Sequence, residues 1–153
     1  MKLKILTFFI GLNMLTTGHY FSFNPGNKQA GYSLTVEVEE LRNTKGVVQF
    51  ALYNKDGTIP DGHYKKYFKI GKSIIVNGKA TFTFSGLPAG TYAVNILHDE
   101  NENGKIDKGL ILPKEGIGFS NYQSIGMRNK PNFQKASFEL NGDMKINVKV
   151  VYM

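Results

Sequence analysis

The stretch HDENENGKID, residues 98–107, sets short oxygen-bearing side chains at a spacing suited to one divalent cation. Asp99, Asn101 and Asn103 stand at alternate positions, Gly104 follows, and Asp107 returns a carboxylate three residues later. Ca²⁺ is a hard cation that takes about six to eight oxygens, and the pattern D-x-[DN]-x-[DN]-G curls a chain around it because Gly tolerates the sharp turn. With Asp99 as the first ligand, the set would be Asp99, Asn101 and Asn103, then the backbone carbonyl of Lys105, then Asp107. The twelfth place, where an EF-hand carries a bidentate Glu, holds Leu110. A last ligand must then come from water or from another loop, for example Glu115. Two ligand carboxylates predict a weak site, with Kd on the order of 10⁻⁴ to 10⁻³ M. The same residues also describe a polar turn in which Asp and Asn cap their own backbone and Asn103-Gly104 reverses the chain.

A second constellation, PKEGIGFSN, occupies residues 113–121. Gly116 and Gly118 would let backbone approach a partner closely, while Glu115, Ser120 and Asn121 could complete an ion shell or bind a sugar or peptide. Phe119 would plug the core. His98 beside Asp99, together with the Ser120 hydroxyl, raises an alternative, an envelope hydrolase. Against it, G-F-S-N-Y lacks the second Gly of a nucleophile elbow, and Asp99 and Asp107 cannot serve both a cation and a triad. His98 is expected instead to orient the loop through a ring nitrogen. Three His, at 19, 63 and 98, and no Cys supply a zinc site poorly.

These residues need a scaffold, and 153 residues with 41 % hydrophobic composition are enough for one domain with a real core. The opening MKLKILTFFIGLNMLTTG pairs Lys2 and Lys4 with an apolar run that ends in small residues, which predicts a signal peptide over residues 1–18. The run is shorter than the roughly 20 residues a spanning helix needs, so no membrane span is expected after cleavage. Residues 19–31, with Asn24-Pro25-Gly26-Asn27, read as a flexible tail before a domain over 32–153. The absence of Cys excludes disulfides and a Cys nucleophile, and export without disulfides suits a bacterial envelope or secreted protein. The formal charge of +7 implies weak attraction to anionic envelope surfaces and does not by itself argue for nucleic acid.

Period-two alternation over Tyr32, Leu34, Val36 and Val38 predicts a strand with one buried face, paired as a hairpin with the run from Val47 to Tyr53. Tyr64, Tyr67 and Phe68 fall at helical spacing opposite Lys65, Lys66 and Lys69, which predicts a short amphipathic helix with a buried aromatic stripe and a solvated Lys face. Asn77-Gly78 predicts a hairpin between Ser73–Val76 and Ala80–Phe84. Thr91 to Leu97 then delivers the chain into the cation loop, with Tyr92, Val94 and Ile96 facing the core. From Asp107 to about Phe133 an irregular loop is expected to pack back on the sheet, before a last hairpin turned by Asn141-Gly142-Asp143. About seven short strands, at most one short helix and one long irregular loop make an all-β, antiparallel two-sheet sandwich.

FSGLPAGTY, residues 84–92, resembles the F-x-x-L-P-x-G-x-Y segment of prealbumin-like sandwiches such as carboxypeptidase regulatory-like domains. With HDENENGKID and PKEGIGFSN, the region from Tyr32 to Tyr152 resembles a bacterial family of exported proteins of unknown function. LILP at residues 110–113 departs from that pattern, which carries Gly just before the Pro. The resemblance implies the fold and export, without an activity. The expectation is therefore an exported, monomeric, non-catalytic module, stabilised by Ca²⁺, that binds an envelope glycan, peptide or protein.

Overall fold

A computed structural model describes residues 31–109 and 112–153. The expected signal peptide, nearly all of the expected tail, and Leu110 and Ile111 lie outside the described residues. Among the described residues, eight strands and one helical turn follow in the order β1 (Tyr32–Val38), β2 (Val47–Tyr53), β3 (Lys69–Ser73), β4 (Ala80–Leu87), β5 (Gly90–Asp99), β6 (Gly116–Phe119), α1 (Phe133–Ala136), β7 (Phe138–Leu140) and β8 (Met144–Asn147). They form two sheets, ordered β4-β1-β8 and β3-β2-β5-β6, with β7 pairing the start of β5. The all-β, two-sheet expectation holds. The pairings are antiparallel apart from β1 with β8, which run parallel with Val36 opposite Ile146. Among the described residues, no helix is long and apolar enough to cross a membrane.

Alternation along β1 puts Leu34, Val36 and Val38 inward, where they meet Val48, Phe50 and Leu52 of β2 and Val94 and Ile96 of β5. Phe82 of β4 stacks on Phe50 with ring centroids 5.8 Å apart, an offset arrangement that aromatic pairs favour. A Cβ on Gly71 of β3 would sit 2.0 Å from the same Phe82 ring, so only Gly admits it there. Each large side chain buried in this slab contributes about 1.5–3 kcal/mol.

The larger sheet is buried on both faces. Ala51 and Tyr53 of β2, Ala93 and Leu97 of β5, and Ile117 and Phe119 of β6 point away from the slab, under a lid of Ile59, Tyr64, Tyr122, Phe133 and Ala136. This explains why β2 and β5 read as nearly continuous apolar runs. The lid comes from the irregular segment before β3, the segment after β6 and α1; part of the expected irregular loop is instead strand β6, paired with β5, and the part after it packs back on the sheet.

Four local expectations are corrected. β1 and β2 do not form a hairpin, since β1 pairs β4 and β8 whereas β2 pairs β3 and β5. Asn77 and Gly78 do make a tight turn, with φ of +51° and +73°, but only Val76 and Lys79 pair across it. Beyond that one rung β3 and β4 part to different sheets, leaving Ile74 and Val76 exposed. Residues 58–68 are turns rather than a helix: Asp61, 6 % exposed, accepts the N–H of Lys65 and Lys66 at 2.8 and 2.7 Å, and Tyr67 and Phe68 are exposed. A side-chain acceptor has captured the backbone donors that a helix would have used. The last hairpin is likewise absent, because β7 pairs β5 and β8 pairs β1. After β8 the chain crosses between sheets: Val148 donates to Glu37 of β1, and Ile117 of β6 and Val151 exchange hydrogen bonds of 3.0 and 2.8 Å. That crossing covers the β6 edge.

Candidate metal site

β5 is the longest strand, and its last pairs set the position of the loop. His98 stands opposite Val48 on one side and Gly116 on the other, and Asp99 opposite Val47. Asp99 therefore leaves the sheet with a fully buried side chain. Its two oxygens accept the backbone N–H of Asn103 at 2.9 Å and of Gly104 at 2.8 Å, which forces the chain into a tight curl. Gly104 takes φ of +74° there, a conformation natural to Gly. Lys72 of β3 places its ammonium 3.6 Å from the same carboxylate.

Asp107 closes the other side. One of its oxygens accepts N–H from the side-chain amides of Asn101 at 2.6 Å and Asn103 at 2.9 Å. Those two hydrogen bonds hold its carboxyl below the ordinary Asp range, so it is ionised. Asn101 and Asn103 use their own oxygens on the N–H of Asn103 and Lys105, at 3.2 and 3.0 Å. The predicted ligands Asp99, Asn101, Asn103, Lys105 and Asp107 are thus gathered in one ring that hydrogen bonds close.

Glu115, only 4 % exposed, staples this ring to β6. Its two oxygens accept the N–H of Glu100 and of Asp107, both at 3.1 Å, so one side chain ties together the two ends of the loop. Burial raises its carboxyl above the ordinary range, against the lowering effect of those two bonds.

Several supporting residues gave no motif in the sequence. Arg42 and Asn43, in the turn after β1, both donate to one oxygen of Glu100, at 2.6 and 3.0 Å. The ion pair with Arg42 lowers the Glu100 carboxyl. Arg42 also lies over the Tyr152 ring, 4.5 Å from its centroid. Gly46, at φ of +66°, passes so close to the Asp99 carbonyl that a Cβ would sit 2.0 Å from it. Arg42, Lys45, Glu100, Asn101, Asp107, Lys114 and Glu115 together line a cavity of about 400 Å³ beside the ring. The one usable signal was Asn43-x-x-Gly46, a turn pattern; that the turn clasps Glu100 depends on strand order.

The other predicted residues are placed elsewhere. His98 is fully buried, with Nδ1 2.7 Å from the Tyr152 hydroxyl and Nε2 3.0 Å from the Lys45 carbonyl, so it orients the loop end through both ring nitrogens. Ser120 Oγ lies 2.9 Å from the N–H of Val94 and donates to the Ala136 carbonyl at 2.6 Å. Asn121 donates to the Ser137 carbonyl at 2.8 Å. Ser120 and Asn121 thus pin α1 to β5, and Phe119 fills the lid cluster. The hydroxyl of Ser120 lies beside Val94, four residues along the strand from His98, so the two side chains are not adjacent. The close partner of the two glycines is the chain itself: a Cβ on Gly118 would sit 2.5 Å from the Lys149 carbonyl, and one on Gly116 would sit 2.4 Å from the Tyr152 ring.

Among the described residues, no three His, Asp or Glu side chains gather into a metal cluster. The donors in the ring are instead two carboxylates and two amides, all oxygen-bearing, a set that fits a hard cation held weakly and does not suit zinc. Asn101 and Asn103 turn N–H toward Asp107 and their oxygens toward the N–H of Asn103 and Lys105, so a cation would have to use the remaining lone pairs of oxygens that already accept one hydrogen bond.

A family described as an uncharacterized protein conserved in bacteria, DUF2141, matches residues 36–147, which is more than half of the chain. No curated protein and no solved structure matches.

Proposed function

The chain belongs to this family of bacterial proteins of unknown function, and from that premise we propose that it is an exported, non-catalytic binding module whose loop end is organised by one Ca²⁺ ion. The observation that carries the proposal is the closure of residues 99–107 into a ring by Asp99, with the ionised Asp107 carboxylate held across it by the N–H groups of the Asn101 and Asn103 amides. The Asp99 carboxylate anchors the curl by accepting backbone N–H. Asp107, ionised and at the solvent side, is the group that gains most from a cation. Glu115 and the Arg42–Glu100 pair hold the ends of the ring in place, so the ion would tighten an existing shape rather than create one.

Export rests on the leader pattern of residues 1–18, and N-terminal sequencing of protein recovered outside the cytoplasm checks it. A mature chain starting near His19 is expected; an intact Met1 rejects export by that route. The prealbumin-like kinship belongs to the same proposal. In its support, Pro88-Ala89 carries the chain from one sheet to the other, and the Tyr92 hydroxyl donates to the Pro88 carbonyl at 3.0 Å.

The test of the ion is thermal unfolding with millimolar Ca²⁺ and with EDTA. Calcium is expected to raise Tm, and Asp107→Ala, whose side chain holds only the Asn101 and Asn103 amides, is expected to remove that rise. An equal rise in the variant rejects the ring as the site.

A further inference from the structure

We propose that the lid face carries a binding cleft for an amphipathic anion, a single alkyl chain ending in a carboxylate. The inference deepens the binding-module reading by naming a site and a ligand class, and it does not need the cation. The cleft has a volume of about 470 Å³ among residues 60–63, Lys108, Leu112, Pro113 and residues 125–131, a size usual for small-molecule sites. Its walls include Pro60, Ile117, Phe119, Ile125, Met127 and Pro131. Ile117 and Phe119 form a buried floor, whereas Met127 is 87 % exposed. A contiguous apolar surface left open to water marks a binding site, and a flexible Met at its mouth adapts to what enters.

Two features select the occupant. Lys108 and Lys130 line the same cleft, both exposed, and among the described residues neither ammonium is paired with a carboxylate. The acid in the lining, Asp61, already accepts N–H from Lys65 and Lys66 and lies 3.3 Å from the Tyr53 hydroxyl. Two exposed lysines against one buried acid leave the rim net positive, complementary to a carboxylate. The walls also disfavour a peptide: Pro60, Pro113 and Pro131 line the cleft, and Pro has no N–H to offer a peptide backbone. A hydrocarbon chain needs no such donor.

The experiment follows the protein's ¹H–¹⁵N spectrum and binding heat during titration with decanoate, 1-decanol and decyltrimethylammonium, each kept below micelle formation. Decanoate is expected to bind saturably and shift Ile117, Ile125, Gly126 and Met127, with decanol and the cation at least about tenfold weaker. The double variant Lys108→Glu/Lys130→Glu, both surface positions, should weaken decanoate by at least about tenfold and leave decanol within about twofold. Equal affinity for all three amphiphiles, shifts centred elsewhere, or association with anionic vesicles without decanoate binding each overturns the proposal. Every titration is run with Ca²⁺ and with EDTA. Decanoate binding in a protein whose Tm ignores calcium sinks the ion alone; a calcium response without decanoate binding sinks the cleft alone.

Discussion

The slab between the sheets and the ring at residues 99–107 are held together by opposite strategies. In the slab, many apolar side chains each contribute a similar increment, so the loss of one leaves the rest in register. In the ring, a few polar side chains each hold two backbone groups: Asp99 takes Asn103 and Gly104, and Glu115 takes Glu100 and Asp107. No neighbour can replace either one. A redundant slab makes a rigid frame, and a ring without redundancy makes a place whose shape a single substitution can change.

The largest effect on either side is expected from Phe50→Ala, which opens a cavity at the stacked Phe50–Phe82 pair and costs about 3–5 kcal/mol by urea unfolding. Calcium should raise Tm in this variant as in the parent, because the ring stays intact. Asp99→Ala comes next, at about 1–3 kcal/mol, since it strands two backbone donors and leaves Lys72 without its partner. Amide exchange should then speed up across residues 100–107 and stay slow in β2. Uniform loss of protection in both regions would break the distinction between frame and ring.

A smaller effect is tied to pH. Burial raises the Glu115 carboxyl, so between its unfolded and folded values the folded protein holds a proton that the unfolded chain has released. The contribution of this group to stability therefore falls as pH rises through the window just above the ordinary Glu range. Glu100 runs the other way: Arg42 lowers its carboxyl, so its contribution is present above the unfolded value and is lost as pH falls through the folded one. Glu115→Gln should flatten the decline of Tm in the upper window and leave the acid limb unchanged. An identical pH profile in parent and variant would show that Glu115 does not titrate as its burial requires.

How far each region was legible in the sequence follows from the same contrast. Alternation identified the faces of β1 and the inward residues Tyr92, Val94 and Ile96 of β5, because a period of two reports which side is buried. It does not report which strand lies alongside. Asn77-Gly78 therefore pointed to a hairpin whose arms belong to different sheets, and β1 was matched to the wrong neighbour. β6 was hidden because GIGF is half glycine, a poor strand signal that makes sense only once residues 148–152 cross over it. The ring residues were found because their spacing is local. Arg42, Asn43 and Tyr152 were not, because they reach the site only through the fold. Glu115 was singled out as an ion ligand, and the structure shows that its two oxygens each accept a loop N–H.

The smallest effect on stability carries the most weight for function. Asp107→Ala should change metal-free stability by less than about 0.5 kcal/mol, because its side chain faces solvent and holds only two surface amides. Isothermal titration of Ca²⁺ into the parent protein and into this variant tests the central claim directly. The parent is expected to bind one ion with Kd of about 10⁻⁴ to 10⁻³ M, enough at 10 mM calcium to add about 1.4–2.7 kcal/mol of stability, and the variant to show no binding heat. No saturable heat from the parent up to 10 mM Ca²⁺, or the same isotherm from both proteins, would contradict the account.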